Sequence, residues 1–283
     1  MNEVYKIMEE MFKDIEIFNQ LPKGKGVRAK LITLINQDAT ILAAAVESIH
    51  LASLLHDDVI DESKLRRGKK SINAIYGDKT AIMLGDIIFA RGLEYLIEYD
   101  KTSAKALANT IYLLSIGEME DVNLSKEMNL DKQKYMDMIY KKTACLIEMS
   151  CRESARLKGI DYKKYERYGK NLGLVFQIVD DILDIVSDEK TLGKPVMNDL
   201  FEGKMTLPFI YMYEELNEDD RNYFKSLFKK RLNKEEENWI KTRITNGIKK
   251  SYKEAIELAQ KGLEGIEEEY LIETMNKLIK RKF

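Results

Sequence analysis

The sequence predicts an all-α protein, and three observations lead to this prediction. Only three residues are proline, and none lies between Lys23 and Lys194, so nothing in that stretch prevents long helices. β-branched residues are scattered and do not alternate with polar ones. Apolar residues instead recur every three to four positions, as at Leu42, Val46 and Ile49, which is typical of the buried face of a helix.

The same pattern divides the chain into helices joined by short polar loops. The loops at 21–26 and 66–70 are basic, and a longer loop covers 188–201. Gly77 and Asp78 separate two of the helices. The predicted helices are 1–20, 28–36, 39–64, 79–98, 102–124, 131–158, 161–187, 205–215, 218–230, 234–246, 250–264 and 267–281.

Composition excludes several classes of protein. The net charge is only -2, so no overall field attracts nucleic acid or an anionic membrane. The apolar runs are too short to span a bilayer, and the first residues lack the apolar core of a signal peptide. Cys145 and Cys151 lie on different faces of one predicted helix, so we expect two buried thiols in a cytoplasmic protein. No linker rich in Gly, Ser or Pro interrupts the chain, which favours a single domain over 1–283.

Two clusters of aspartates are the most informative feature for chemistry. In each cluster the first and last aspartates are four residues apart, and therefore on one face of a helix. Two carboxylates ~5 Å apart repel by roughly 3 kcal/mol at an effective dielectric of about 20, so we expect a bound cation. Mg²⁺ commonly bridges such carboxylates to substrate phosphates. The clusters are Asp57, Asp58 and Asp61, and Asp180, Asp181 and Asp184.

Basic side chains alternate with these clusters along the chain. Arginine binds phosphate with two parallel hydrogen bonds, and lysine acts as a point charge. Together with the aspartates they predict two helices that face each other across a cavity able to hold two anionic groups. The basic residues are Lys25, Arg28, Arg66, Arg67, Lys141, Lys142, Lys194 and Lys204.

These segments resemble the trans-isoprenyl diphosphate synthases, or polyprenyl synthetases, over residues of about 22–210. The stretch 57–61 followed by Arg66-Arg67-Gly68 is similar to the first aspartate-rich motif of that family, and 177–184 is similar to the second. The basic loop at 23–29 departs from the family pattern, since it lacks a proline and one basic residue, and Asp121 stands where glutamine is common. Further similar segments are Gly85-Asp86, Gly117-Glu118, Lys142-Thr143, Gly193-Lys194-Pro195 and Gly203-Lys204.

The resemblance implies a single-domain, all-α prenyltransferase of the isoprenoid synthase type, built around a central cavity. Such an enzyme joins isopentenyl diphosphate to an allylic diphosphate, head to tail, with trans double bonds, and a proton passes to the released diphosphate. It also implies about three Mg²⁺ ions per active site, a homodimer, and a lipophilic product that can be delivered to membranes.

The resemblance also implies a role for each matching residue. Asp57, Asp61 and Asp180 would hold Mg²⁺, supported by Asp58, Asp181 and Asp184. Arg66, Lys142, Lys194 and Lys204 would neutralise the allylic diphosphate, and Lys25, Arg28, His50 and Arg67 would bind isopentenyl diphosphate. Thr143 and Gln177 would lie near the developing carbocation. His56 is expected to be structural.

Product length is predicted from the residues that precede the first cluster. Ala52 and Ser53 lie five and four positions before Asp57, and small side chains there would leave a product tunnel open. A helix over 39–63 is about 37 Å long at ~1.5 Å per residue, enough to line a tunnel for a product of about six or more isoprene units.

Other functions remain compatible with the sequence. A shorter-chain synthase that makes farnesyl or geranylgeranyl diphosphate is one alternative. A non-catalytic regulatory subunit of a heteromeric synthase is a second, and a helical scaffold with incidental acidic clusters is a third. A class I terpene cyclase is disfavoured, because the second motif is rich in aspartate.

Overall fold

The computed structural model describes residues 1–21, 24–66, 68–187 and 196–281, except for the side chain of Asn19. Helices make up nearly all of the regular structure in these ranges, so the predicted all-α fold is confirmed. The one exception seen there is a two-residue antiparallel pair, β1 (Leu65–Arg66) and β2 (Lys69–Lys70). The segment 66–70, predicted as a loop, is therefore part of a small hairpin. No helix in the described part of the chain is long and apolar enough to cross a membrane.

The chain divides into two compact units. The first unit comprises Met1–Tyr112 and Leu146–Gly169, and the second comprises Leu113–Cys145 and Lys170–Phe283. The single domain expected from the sequence stays a prediction.

The first unit is built around one long buried helix. This helix is α3 (Thr40–Ile60), and its residues Leu42, Val46 and Ile49 are fully buried. It contacts helices that precede it and follow it in the chain. The other elements are α1 (Asn2–Met11), a 3₁₀-helix (Glu16–Gln20), α2 (Val27–Ile35), α4 (Ile72–Tyr76), α5 (Asp78–Tyr99), and the parts of α6 (Lys101–Leu124), α8 (Cys145–Lys158) and α9 (Tyr162–Val186) that fall within the unit.

The second unit contains the remaining elements. They are the rest of α6 and α9, α7 (Lys132–Ile139), a π-helical segment (Tyr140–Ala144), α10 (Asn198–Glu202), α11 (Leu207–Glu215), α12 (Glu218–Leu227), α13 (Lys234–Arg243), α14 (Thr245–Leu263) and α15 (Glu269–Ile279).

Several predicted helices differ from those observed. The helix predicted over 250–264 begins at Thr245, and α4 and α10 begin in segments where no helix was predicted. The helix predicted over 1–20 ends at Met11, because the chain turns and packs the ring of Phe12 against that of Phe18, with centroids 4.3 Å apart. The helix predicted over 131–158 is interrupted by the π-helical segment. Cys145 and Cys151 are buried free thiols.

Candidate active site

The first aspartate motif lies on the last turn of α3, where its carboxylates differ in environment. Asp57 is half-buried and Asp61 is exposed, whereas Asp58 is 3% exposed. Both carboxylate oxygens of Asp58 accept a hydrogen bond from Nε of Arg66 at 2.8 Å. The backbone carbonyl of Asp58 also accepts hydrogen bonds, from Asn73 Nδ2 at 3.0 Å and the Ser63 amide at 2.9 Å. Asp58 therefore stabilises the motif, and Asp57 and Asp61 are its accessible carboxylates.

The hairpin that follows the motif places Arg66 against Asp58. Gly68 at its turn has a φ of 75°, which favours glycine because it lacks a Cβ. The Ser71 hydroxyl closes the hairpin by donating to the Ser63 carbonyl at 2.7 Å. The sequence predicts that Arg66 binds diphosphate, and the structure brings it to a carboxylate of the same motif. Arg67 lies outside the described residues.

A cavity of about 350 Å³ lies beside α3 in the first unit. His50 and Arg66, both predicted to bind substrate, line it together with Gly24. Lys25 is exposed and Arg28 half-buried, on the segment that follows Gly24. Apolar walls come from Met8, Phe18, Leu21, Leu51, Leu54, Leu55, Ile72 and Ile75.

Ala52 and Ser53 lie on α3 but are not among the residues that line this cavity. Ala52 is fully buried, and the Ser53 hydroxyl donates to the His50 carbonyl at 2.9 Å. Their role in chain length stays a prediction, and the packing around Ala52 shows that a larger side chain there would require rearrangement.

His56 joins α3 to α5. Its Nε2 lies 3.1 Å from the Ile82 carbonyl oxygen, and its ring meets that of Phe89 edge to face, at 5.3 Å between centroids. A Cβ at Gly85 would lie 2.3 Å from the same Nε2. The expected structural role of His56 thus agrees with its contacts, and Gly85 provides the space for its ring.

The second aspartate motif lies near the end of α9, in the second unit. Asp180 is exposed, while Asp181 and Asp184 are 4% and 2% exposed. The Tyr135 hydroxyl donates to one oxygen of Asp181 at 2.5 Å, and Gln177 Nε2 donates to the other at 2.8 Å. Burial and the charge of Asp199 raise the pKa of Asp181 well above its usual value, although the hydrogen bonds from Tyr135 and Gln177 oppose this.

The π-helical segment carries Lys142 and Thr143 and is closely approached by two glycines. A Cβ at Gly117 of α6 would lie 2.4 Å from the Lys142 backbone nitrogen. A Cβ at Gly173 of α9 would lie 2.4 Å from the Ala144 Cα. Thr143 donates its hydroxyl hydrogen to Gln177 Oε1 at 2.9 Å. The glycines allow the segment to pack between the two helices, as is common where a π-bulge forms a functional site.

Lys142 lies in a cluster of charges. Its Nζ is 2.6 Å from Asp121 and 2.9 Å from Glu118. Lys204 Nζ is 3.7 Å from the same Asp121 and 2.7 Å from Glu202. Burial lowers the pKa of Lys142, but the charges of Asp121 and Glu118 outweigh burial and raise it above its usual value. Lys142 is therefore a permanent cation at neutral pH.

Lys142, Lys204 and Asp121 line a second cavity, of about 130 Å³. The structure thus brings together four predicted site residues with Asp181, although they come from separate helices and loops. Lys194 lies outside the described residues. The predicted residues on the cavity are Lys142, Thr143, Gln177, Asp181 and Lys204, joined by Asp121, Tyr135, Asp199 and Thr206.

The donor atoms of the two motifs suit a hard divalent cation. Among the described side chains, no three of His, Cys, Asp or Glu converge closely enough to hold a metal ion by themselves. Mg²⁺ keeps several waters and takes only one or two protein carboxylates beside substrate phosphates. Asp57, Asp61 and Asp180 are the accessible carboxylates that fit this role.

Comparison with known proteins identifies the family. The profile of the family described as polyprenyl synthetase matches residues 9–243. The chain belongs to this family. The resemblance inferred from the aspartate motifs is thereby confirmed.

Relatives within the polyprenyl synthetase family differ in product length. Over 213 residues the chain is 37% identical to a short chain isoprenyl diphosphate synthase from Methanothermobacter thermautotrophicus, and the match covers 70% of this chain and 66% of that relative. The chain thus spans about two thirds of the length of this curated relative. A solved octaprenyl pyrophosphate synthase from Helicobacter pylori is also 37% identical, with a TM-score of 0.91 and coverage of 98% and 97% of the two chains.

A third relative was solved with ligands. It is a polyprenyl synthase from Caulobacter crescentus in complex with calcium and isoprenyl diphosphate, 28% identical, with a TM-score of 0.88 and coverage of 99% and 92%. A divalent metal therefore binds to a member of this polyprenyl synthetase family.

The sequence assigned no role to three contributors to the site. Tyr135, which contacts Asp181, was missed; Glu118 was named only within a segment similar to the family, and Asp121 only as a departure from the family pattern, although both contact Lys142. The spacing of Glu118 and Asp121 places them on one helix face and could have predicted a shared cation. Nothing in the sequence around Tyr135 indicates a partner 46 residues away.

Proposed function

We propose that the chain is a prenyltransferase that condenses isopentenyl diphosphate with an allylic diphosphate, head to tail and with trans double bonds, to a polyprenyl diphosphate. The observation that carries the proposal is the cavity of the second unit, where Lys142, Thr143, Gln177 and Lys204 lie with Asp181. The two ammonium groups can stabilise an anionic leaving group. The two side-chain oxygens can stabilise the carbocation that remains.

Lys142 and Lys204 would stabilise the departing diphosphate of the allylic substrate. Preorganised positive charge is most effective where negative charge develops during bond breaking. The carboxylates of Glu118, Asp121 and Glu202 fix both ammonium groups before substrate binds. Arg66 and Lys194 are proposed to serve the same diphosphate.

Thr143 and Gln177 would stabilise the allylic cation through their oxygen dipoles. The hydrogen bond between them fixes the Gln177 amide, because its nitrogen also donates to Asp181. The proton lost from the new bond is proposed to pass to the diphosphate just released.

Asp57, Asp61 and Asp180 would bind Mg²⁺, with about three ions per active site. When bound, Mg²⁺ supplies charge neutralisation to the diphosphate. Asp58, Asp181 and Asp184 would support these ligands from buried positions. Asp184 is itself held in place, since its Oδ2 accepts a hydrogen bond from the Asp199 amide at 3.1 Å.

Isopentenyl diphosphate would bind at Lys25, Arg28, His50 and Arg67. His50 supports this assignment, since it lines the cavity next to Gly24, the residue before Lys25. Lys70 lines the same cavity and adds positive charge for this diphosphate.

The product is proposed to contain about six or more isoprene units, because small residues at Ala52 and Ser53 leave room along a helix of roughly 30 Å. A short-chain product is the second candidate. The 37% identity to a short chain synthase supports this candidate, and the equal identity to an octaprenyl synthase supports the longer product.

Incubation with farnesyl diphosphate, isopentenyl diphosphate and Mg²⁺, followed by mass analysis of the dephosphorylated products, tests the proposal. We expect a ladder of prenyl alcohols that ends at six or more units, and its loss in Asp57→Asn and Asp180→Asn. A product that stops at three or four units identifies the short-chain alternative. No product from the purified chain, with activity restored by a second protein, identifies a regulatory subunit.

The chain is further proposed to act in the cytoplasm as a single-domain homodimer, and to deliver its product to membranes. An apolar face on α5 supports a dimer, since Ile82, Met83 and Ile87 are 39%, 55% and 46% exposed. Light scattering on the purified chain gives its mass in solution, and a monomer would contradict the proposal.

A further inference from the structure

Tyr5 on α1 contacts the basic loop at the point where the loop leads into α2. Its hydroxyl donates to the Gly24 carbonyl at 2.9 Å. A Cβ at Gly26 would lie 3.3 Å from the same hydroxyl. Tyr5 thus bonds to the backbone before Lys25 and lies close to Gly26 after it.

The neighbours of Tyr5 hold it in this position. Val4 is fully buried and Met8 is 5% exposed, so α1 is anchored by the residues that flank Tyr5. Helix α2 is anchored as well, because the Ser154 hydroxyl donates to the Ile32 carbonyl at 2.7 Å and Lys158 Nζ donates to the Ile35 carbonyl at 2.6 Å. Both helices next to the Tyr5–Gly24 contact are therefore held in place by their own packing and hydrogen bonds.

Lys25 lies between two residues with unusual backbone freedom. Glycine occupies positions 24 and 26, and glycine loses more backbone entropy on ordering than any other residue. Gly26 has a φ of 62°, and its carbonyl accepts the first hydrogen bond of α2, from the Lys30 amide at 2.8 Å. A hydrogen bond from another helix therefore restrains the backbone between these two glycines.

We propose that Tyr5 is a positioning residue for isopentenyl diphosphate: it holds the backbone around Lys25, and the start of α2 with Arg28, in the conformation that binds the diphosphate. The inference rests on the proposed function, since it takes Lys25 and Arg28 as ligands of that substrate. Tyr5 also lines the cavity, but its hydroxyl is directed to the Gly24 carbonyl, so its proposed action is through the loop.

Steady-state kinetics of the full chain test this role. Tyr5→Phe removes the hydroxyl and keeps the ring. Loss of a neutral hydrogen bond of ordinary net strength changes an equilibrium constant by about two- to twelvefold. We therefore expect KM for isopentenyl diphosphate to rise by about that factor. We expect kcat and the KM for the allylic diphosphate to stay within about twofold of wild type. Tyr162→Phe, on an exposed tyrosine at the start of α9, is the matched control and should behave as wild type.

A structural role alone would give a different result. Loss of folded protein lowers the apparent kcat but leaves KM unchanged, because KM does not depend on the concentration of active enzyme. An unchanged KM for isopentenyl diphosphate in Tyr5→Phe overturns the inference, as does an equal rise in the KM of both substrates.

A double-mutant cycle adds an independent check. Gly26→Ala places a Cβ 2.4 Å from Met1 Cε and 3.3 Å from the Tyr5 hydroxyl, and it strains a positive φ. If both residues act through the same loop, the combined rise in KM is smaller than the product of the single effects. A multiplicative result overturns the inference.

Failure of the wild-type chain to consume isopentenyl diphosphate refutes the proposed function itself, which is a separate outcome from a wild-type KM in Tyr5→Phe.

Discussion

Arg66 and Asp58 form a partly buried, multiply hydrogen-bonded ion pair, with Arg66 Nε 2.8 Å from both carboxylate oxygens and Nη2 2.7 Å from Oδ1. The pair joins the end of α3 to the hairpin that follows it. Of the three carboxylates in the first motif, Asp58 is therefore the one that organises the structure, and Asp57 and Asp61 are left accessible.

Arg66→Ala should destabilise the protein, because it removes a cation from a carboxylate that is only 3% exposed. We expect the free energy of unfolding to fall by about 2 kcal/mol, measured by urea denaturation. Asp58→Asn combined with Arg66→Ala should cost less than the sum of the single changes. Additive losses would show that the two side chains do not depend on each other.

Gly85→Ala should also be destabilising, since its Cβ would lie 2.3 Å from Nε2 of His56. Overpacking of this kind costs typically about 1–3 kcal/mol. Gly92→Ala, on the same helix, is the matched control, because its Cβ would lie 3.4 Å from the nearest atom, on Ser48. Thermal unfolding should show a lower Tm for Gly85→Ala alone, with recovery when His56→Ala is added. No recovery would exclude the His56 ring as the cause.

The fold was largely predictable because helix periodicity is a local signal. The helix predicted over 39–64 is observed as Thr40–Ile60, and its apolar spacing alone was sufficient. The π-helical segment was not predictable, since its sequence contains neither Gly nor Pro. Its packing depends on Gly117 and Gly173, which belong to two other helices.

The site was predictable in its residue types but not in its division of roles. The sequence gives three identical side chains in each motif, and only the position of Arg66 distinguishes Asp58 from Asp57. In the second motif the distinction comes from Tyr135, whose hydroxyl reaches Asp181 across 46 residues of sequence. Such contacts depend on how helices pack and produce no periodic pattern in the sequence.

Lys142→Met should lower kcat by about 10²-fold, comparable to the loss of one preorganised charged donor in other active sites. Lys142→Arg, which keeps the charge, should retain more activity than Lys142→Met. Lys141→Met is the matched control, because Lys141 pairs with Glu120 at 2.5 Å and does not line the cavity. Single-turnover release of diphosphate measures the effect, and equal losses at 141 and 142 would contradict the assigned role.

Stability should fall at alkaline pH, partly because of Cys151. Burial raises the pKa of this thiol from 9.0 to about 12, so the folded protein retains a proton that the unfolded chain loses. The stabilising effect is complete below pH 9 and is lost as the pH rises toward 12; at pH 10 the loss amounts to about 1.4 kcal/mol. Urea denaturation of wild type and Cys151→Ala between pH 8 and 10 should show a smaller decline in the variant. Parallel declines would indicate an ordinary thiol pKa.

Ala52 and Ser53 are predicted to set the product length. Substitutions at the two positions should differ in their cost to stability, because the two side chains differ in burial. Ala52 is fully buried and Ser53 is half-buried, so a tyrosine at 52 must displace packed neighbours at a cost of about 1–3 kcal/mol. A tyrosine at 53 replaces only a hydroxyl that donates to the His50 carbonyl. We therefore expect both Ala52→Tyr and Ser53→Tyr to shorten the product, with a larger drop in Tm for Ala52→Tyr. Mass analysis of the dephosphorylated products and thermal unfolding measure the two effects separately, and an unchanged product length in both variants would show that the tunnel lies elsewhere.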